Sequence, residues 1–292
     1  MKAPAEESSP RYNDNGDNFY YVQEDYVREV QKKRNTWSWN VIRPTGIIGF
    51  TPQCKLVLHR LLLCLPPTTD QILLGSANGM TEALTLAVYF LLCRETGEPA
   101  RFPGNEYIWE GVDDKSYAPG IADLAVFVST NDHCANEAFN HANGDVFLWK
   151  NMWPKLAAYF GVEASYPLSL PNPHMKTTVL TLATQAPEPT FAKVKGTENE
   201  LINEFDVAEW AKDKREAWQS IVRKWGGKEE VFDWAAWGHL RWGMGRAWST
   251  LLSVGKARQY GWTRYDDTYI TWLKTYKVLE GSGILPKPRD VK

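Results

Sequence analysis

Cysteine is scarce in this sequence: Cys54, Cys64, Cys93 and Cys134 are the four in 292 residues. No two form a C-x-x-C pair and none has a histidine at metal-ligand spacing, which excludes a zinc module and a disulfide scaffold and makes the reducing cytoplasm the expected compartment. Charge of one sign is lacking as well. Lys and Arg total 33 against 35 Asp and Glu, a net charge of −2, and the cations are scattered, so no electrostatic footprint for nucleic acid or an anionic membrane exists. The apolar run in "LHRLLLCLPP" is short and ends in prolines, and the start "MKAPAEESSPRYNDNGDN" is polar. Neither a membrane span nor a signal peptide is read from these stretches. A glycine-rich G-x-G-x-x-G turn is also missing, and "GIIG" at 46–49 is too short and follows a prolyl loop, so it is no phosphate cradle.

What is present in excess is tryptophan, 14 residues, nine of them between Trp210 and Trp272. A tryptophan-rich surface can stack sugars, as in a carbohydrate-binding module. Trp234, Trp237, Trp242 and Trp248 recur at roughly helical intervals among apolar neighbours, which favours a helical core.

Periodicity predicts a helix over Phe19–Arg34, with basic residues at its C-terminal end where they complement the dipole. "TWSWNVIRP" reads as a strand stopping at Pro44 and running into the loop "RPTGIIGFTP". A nearly all-apolar helix follows at about Met80–Thr96. "RFPGNEYIWEGVDDKSYA" reads as a turn-rich loop with short strands, "GIADLAVFVST" as a helix, "NEAFNHANGD" as a strand ending in an Asn-Gly turn, and "VFLWKNMWPKLAAYFGV" as an aromatic helix with Pro154 inside. Residues 164–204 are rich in Pro, Thr and Ser and read as an irregular linker. From Val207 to about Leu279 the pattern is helical, broken at "GGK" and "YGWTRYDD".

Four segments, "NFYYVQED", "WSWNVIRPTGIIGFTP", "GEPARFPGNEYIWEGVDD" and "NEAFNHANGDVFLWKNMWPKLAAYFGVE", resemble in order and spacing the progesterone 5β-reductase and iridoid synthase group of short-chain dehydrogenases. Fungal-type members are the most similar. The resemblance is specific over residues 1–163 and continues more weakly through 280. It implies an α/β fold, the C-terminal part of a Rossmann-like domain (1–163), then the linker (164–204) and a largely helical substrate domain (205–292). It also implies NADPH-dependent reduction of the C=C bond of a small-molecule enone in fungal secondary metabolism or detoxification, with a homodimer left open. The family's catalytic tyrosine falls on Tyr20, whose phenol would hydrogen-bond the enolate oxygen as hydride reaches the β-carbon. Without the motif, an aromatic pair at a helix start is ordinarily core packing. The loop places Pro44, Gly46, Ile47 and Thr51 beside the cofactor, where the bare sequence allows an ordinary Gly-Pro turn. The helical lid places Trp237, Leu240 and Trp242 at the substrate.

Two departures from the family pattern set further expectations. The glycine fingerprint and the catalytic lysine belong to a half expected upstream of Met1, and without it a sheet edge and an apolar face would stand exposed and NADPH would bind poorly. The segment "CKLVLHRLLLCLPPTTDQILLGSA" (54–77) separates "GFTPQ" from "NGMTEALTLAVYF", which the family pattern joins almost directly. It reads as a translated intron, since Cys-Lys-Leu can be encoded with a GTAAGT donor and removal of its 24 codons keeps the frame; an ordinary surface insertion is the alternative. The functional alternative to the reductase is a non-catalytic remnant or small-molecule-binding pseudoenzyme.

Overall fold

The computed structural model describes residues 3–11, 18–50, 82–166, 205–246 and 248–287, with the backbone of 176–181, 194–195 and 198–203. Thr51 and the segment 54–77 lie outside the described residues. Helix α1 spans Phe19–Arg34: the Asn18 side chain accepts from the Tyr20 N–H at its start, and Asn35 ends it in the left-handed region at φ 47°. Its inward anchor is Glu24, held by Arg43 at 2.8 Å and flanked by Arg11 and Arg28. The outward residues Phe19, Tyr20, Val22 and Tyr26 are exposed.

Strand β1 (Asn40–Pro44) leads into the short β2 (Ile47–Ile48). Helix α2 (Glu82–Thr96) buries eleven consecutive side chains, Ala83 to Cys93, because almost none of its positions is polar; it is the central post of the molecule. After β3 (Ala100–Arg101) come α3 (Glu106–Glu110), whose cap Asn105 accepts from the Ile108 N–H, then β4 (Val112–Asp113) and β5 (Ser116–Tyr117). Helix α4 (Ala118–Thr130) begins with a proline in its first turn, where no N–H is needed. Strand β6 (Glu137–His141) precedes β7 (Phe147–Leu148), α5 (Trp149–Tyr159) and β8 (Ala164–Ser165).

These strands pair across long sequence intervals. β1 runs parallel to β6, Asn40 opposite Glu137 through Pro44 opposite His141. β2 is parallel to β5 and β3 to β8, while β4 and β7 are antiparallel. Parallel pairing with intervening helices is the α/β arrangement expected of the chain. The segment read as an irregular linker instead contains β9 (Lys176–Thr181), β10 (Val194–Lys195) and β11 (Glu198–Asn203) in an antiparallel sheet of order β10-β11-β9. "KTTVLT" is β-branched enough to hold a strand, and the surrounding prolines obscured it.

The C-terminal part is helical: α6 (Val207–Trp210), α7 (Arg215–Trp225), α8 (Val231–Trp234), α9 (Trp237–Met244), α10 (Gly255–Gln259) and α11 (Thr268–Gly281). Its breaks fall at Gly226–Gly227 and around Gly261, all with positive φ. α7, α9 and α11 pack on α2, and Trp149, Trp153, Trp218 and Trp272 are fully buried among Tyr89, Phe90 and Phe102. Trp149 and Trp153 keep their indole N–H groups satisfied by Asp113 Oδ2 and Ala100 O, each at 2.9 Å. Most of the tryptophan excess is thus core.

Candidate functional site

A cavity of about 350 Å³ opens at the C-terminal end of β1, where ligands bind in open parallel sheets. One wall is the loop Pro44, Thr45, Gly46 and Ile47; the facing wall is α9, through His239, Leu240, Trp242, Gly243 and Met244. Leu252 and Thr250 close one side, and Glu82, Lys115 and Arg246 form a charged floor. A wider cleft of about 900 Å³ lies between α1, β6 and α10. Its Arg43 and Arg28 are drawn to Glu24 and its Lys256 to Glu137, so its charges answer each other rather than a ligand.

Behind the cavity residues Lys115, Arg246 and Thr250 lies a network centred on the buried Asp113. Its Oδ2 accepts from Trp149 Nε1 at 2.9 Å and Arg246 Nη2 at 3.1 Å, with Lys115 Nζ at 3.3 Å; its Oδ1 accepts from the Asp114 N–H at 3.1 Å and Thr250 Oγ1 at 3.2 Å. Lys115 also reaches Glu82 at 3.1 Å and lies over the Trp149 ring. Burial opposes ionisation of Asp113, but Lys115 and Arg246 overcome it and hold the carboxyl below the usual range. Burial likewise opposes the Lys115 charge, and Asp113 and Glu82 outweigh it, so the ammonium is held above its ordinary value. Asp113 and Lys115 therefore stay charged although both are desolvated. Beside them, burial pushes the Asp114 carboxyl up to about 6. At the rim, burial lowers the His239 imidazole, which favours its neutral form.

The predicted residues divide between cavity and surroundings. Pro44, Gly46 and Ile47 face Leu240 and Trp242 across the cavity, Trp242 at its exposed rim. Trp237 is not on the wall: the Ala236 N–H is fixed by Thr85 Oγ1 at 2.9 Å, and the Trp237 ring packs on Phe232 and Trp210 at 5.9 and 6.4 Å. Tyr20 does not line the cavity either; it is 56% exposed, with its ring against Phe19. The residues sequence reasoning missed are Thr45, Glu82, Asp113, Asp114, Lys115 and Arg246. The signal that could have found the middle three is "DDK" wedged between Val112 and Ser116, three charges at the entrance to an apolar helix. Among the described residues no cluster of metal-ligating side chains occurs and no helix is long and apolar enough to cross a membrane.

The loop wall suits the flat end of a nicotinamide cofactor. It is backbone-rich at Gly46, where a Cβ would meet Lys115 Nζ at 3.1 Å. The sequence supplies no glycine-rich turn for the phosphates. The chain therefore fits one end of that group.

No family model matches the chain. It is 40% identical over 289 residues to the short chain dehydrogenase gsfE of Penicillium aethiopicum, covering 98% of this chain and 65% of that protein. It is 30% identical over 291 residues to an (S)-8-oxocitronellyl enol synthase of Nepeta cataria, covering 96% and 58%. It is 27% identical over 267 residues to a 3-oxo-Δ(4,5)-steroid 5β-reductase of Arabidopsis thaliana, covering 90% and 54%. Among solved structures, the terminal R domain of the myxalamid PKS-NRPS pathway superposes with a TM-score of 0.52 at 14% identity, covering 99% of this chain and 56% of that one. That likeness concerns the fold alone, which is Rossmann-like. The chain spans somewhat under two thirds of the length of these relatives. By these sequence relationships the chain is similar to short-chain dehydrogenases, and a named short-chain dehydrogenase, an iridoid-synthase-like enol synthase and a steroid 5β-reductase are among its homologues.

Proposed function

We propose that the protein reduces the activated C=C bond of a small-molecule enone with NADPH. The observation that carries this reading is the cavity itself: the loop Pro44–Ile47 and helix α9, which the family resemblance assigns to cofactor and substrate, form its opposite walls. Pro44, Gly46, Ile47 and, outside the described residues, Thr51 would hold the nicotinamide end, which supplies hydride when bound. Leu240 and Trp242 exclude water from the enone. The N-F-Y-Y motif alone assigns Tyr20 the hydrogen bond to the developing enolate oxygen, since Tyr20 lies on α1 outside the cavity lining. Its exposed position on α1 leaves its hydroxyl free of the core. NADPH in preference to NADH, a cytoplasmic location and a homodimeric state belong to the same proposal.

The test is enone-dependent NADPH oxidation by the purified protein and its Tyr20→Phe variant. Loss of one donor to a developing oxyanion is expected to lower kcat on the order of 10²-fold with KM little changed. An unchanged kcat would remove Tyr20 from the chemistry. The missing glycine fingerprint favours a second reading, a binder that does not turn over. Enone binding without NADPH oxidation, and with no rise in Tm on adding NADPH, would select it.

A further inference from the structure

Saturating a C=C bond takes a hydride and a proton, and the two arrive by different routes. The nicotinamide supplies the hydride, whereas the proton must reach the α-carbon from a group that exchanges with water. Among the described residues lining the cavity, the titratable side chains are Glu82, Lys115, His239 and Arg246. Three of these are committed to partners. Lys115 is shared by Glu82 and Asp113, and Arg246 gives Nε to Gly243 O, Nη1 to Thr250 Oγ1 and Nη2 to Asp113. His239 is not committed. Among the described residues its imidazole makes neither a hydrogen bond nor an ion pair, and its ring rests near Trp242, three positions along α9, at 5.5 Å. It stands between cavity and solvent: it lines the cavity, its ring is within electrostatic reach of the floor, and the residue is exposed at the mouth. Burial lowers the imidazole below its ordinary value; of the charges that face it, Glu82 on α2 opposes this, while Lys115 before β5 and Arg246 after α9 reinforce it. An imidazolium so lowered gives up its proton more readily.

We propose that His239 is a catalytic residue whose imidazolium delivers the proton to the α-carbon of the substrate and is reprotonated by water at the cavity mouth. Hydride brings both electrons of the new Cβ–H bond, and the C=C pair moves into the enolate. The His239 N–H bond then breaks, its proton and an enolate electron pair make the Cα–H bond, and the N–H electrons stay on the ring. The nicotinamide is oxidised, the enone is reduced, and water at the rim restores the imidazolium. Run backwards, the proton step is the removal of an α-proton from a saturated ketone by the neutral imidazole, which needs no cofactor. The hydride half of this description rests on the proposed function; the proton half does not.

The experiment has a readout for each half. Proton transfer alone is followed by NMR as deuterium uptake at the α-carbons of cyclohexanone in D2O, without NADPH. The expected result is uptake faster than with free imidazole at the protein's concentration, lowered on the order of 10²-fold in His239→Gln and partly restored by added imidazole. A merely structural side chain would not be rescued in that way. His239 is exposed, so the variant should keep the parent's Tm. The second readout is NADPH oxidation with cyclohex-2-enone. Here kcat should fall by a similar factor in His239→Gln with KM little changed. The imidazole is held below 6.5, so the parent's kcat should decline as pH rises past that value, and the decline should vanish in the variant. Uptake by the parent no faster than with free imidazole, a variant equal to the parent, or a loss that imidazole does not restore would overturn the assignment. The outcomes separate it from the proposed function. Uptake that depends on His239 without NADPH oxidation keeps the residue's role and removes the reductase; NADPH oxidation indifferent to the substitution does the reverse.

Discussion

Asp113→Ala is expected to destabilise the protein by about 3–5 kcal/mol, enough to unfold a domain of ordinary stability. The carboxylate is buried and is the common acceptor for Lys115, Arg246, Trp149 and Thr250. Its removal leaves two desolvated cations to share Glu82 and strands an indole N–H in the core. Most of the cost is this abandonment of partners rather than the intrinsic worth of the ion pairs, and that distinction is measurable. If it holds, adding Lys115→Met to Asp113→Ala recovers part of the loss, because one uncompensated charge is removed with its partner. Asp113→Asn, which still accepts from Trp149, should cost less than Asp113→Ala. The readout is the urea midpoint at neutral pH with the slope monitored for two-state behaviour. A shift under about 1 kcal/mol for Asp113→Ala would mean the floor is hydrated and the network is not what joins the Gly243–Thr250 wall to the rest of the cavity.

The same network explains what could and could not be read from the chain. Helix α1 was legible to the residue, because a capping asparagine, an amphipathic run and terminal lysines all agree there. The strand ending at Pro44, the apolar α2 and the strand Glu137–His141 were legible from local pattern alone. Part of the cavity wall was legible too: Pro44, Gly46 and Ile47 follow directly on the strand ending at Pro44, and Leu240 and Trp242 lie on α9 within the stretch read as helical. The floor was not. "DDK" in a turn-rich stretch has the pattern of a solvated loop, and only Arg246, 133 residues further along, makes it a buried one. Trp237 misled for a related reason. Helical spacing places it near Leu240, but the aromatic neighbours that turn its ring toward the core, Trp210 and Phe232, come from other helices. The sheet β9–β11 was hidden by prolines around its strands, where composition outweighed a short β-branched run.

Stability between pH 4 and 6.5 is expected to hide two large and opposite terms, which Asp114→Asn separates. His141 is fully buried with neither ring nitrogen hydrogen-bonded; burial lowers its pKa to about 4, against a partial opposing pull from Asp266, which Arg264 and Asp123 modify. Its folded value lies below the unfolded 6.5, so the stability it contributes is complete above pH 6.5 and is lost as pH falls toward 4. Asp114 runs the other way. Its folded value of about 6 lies above the unfolded 3.8, so the folded state binds the extra proton, and stability is lost as pH rises from 3.8 through 6. Each term amounts to about 3 kcal/mol across its window, and over pH 4 to 6 the slopes nearly cancel. Asn at position 114 keeps an acceptor for the Leu252 N–H but cannot ionise, so the histidine slope should emerge. The variant should exceed the parent by about 3 kcal/mol at pH 7 and approach it near pH 4, other carboxyls cancelling in the difference. A variant no more stable than its parent at pH 7 would show that the Asp114 carboxylate already has a partner in the free protein.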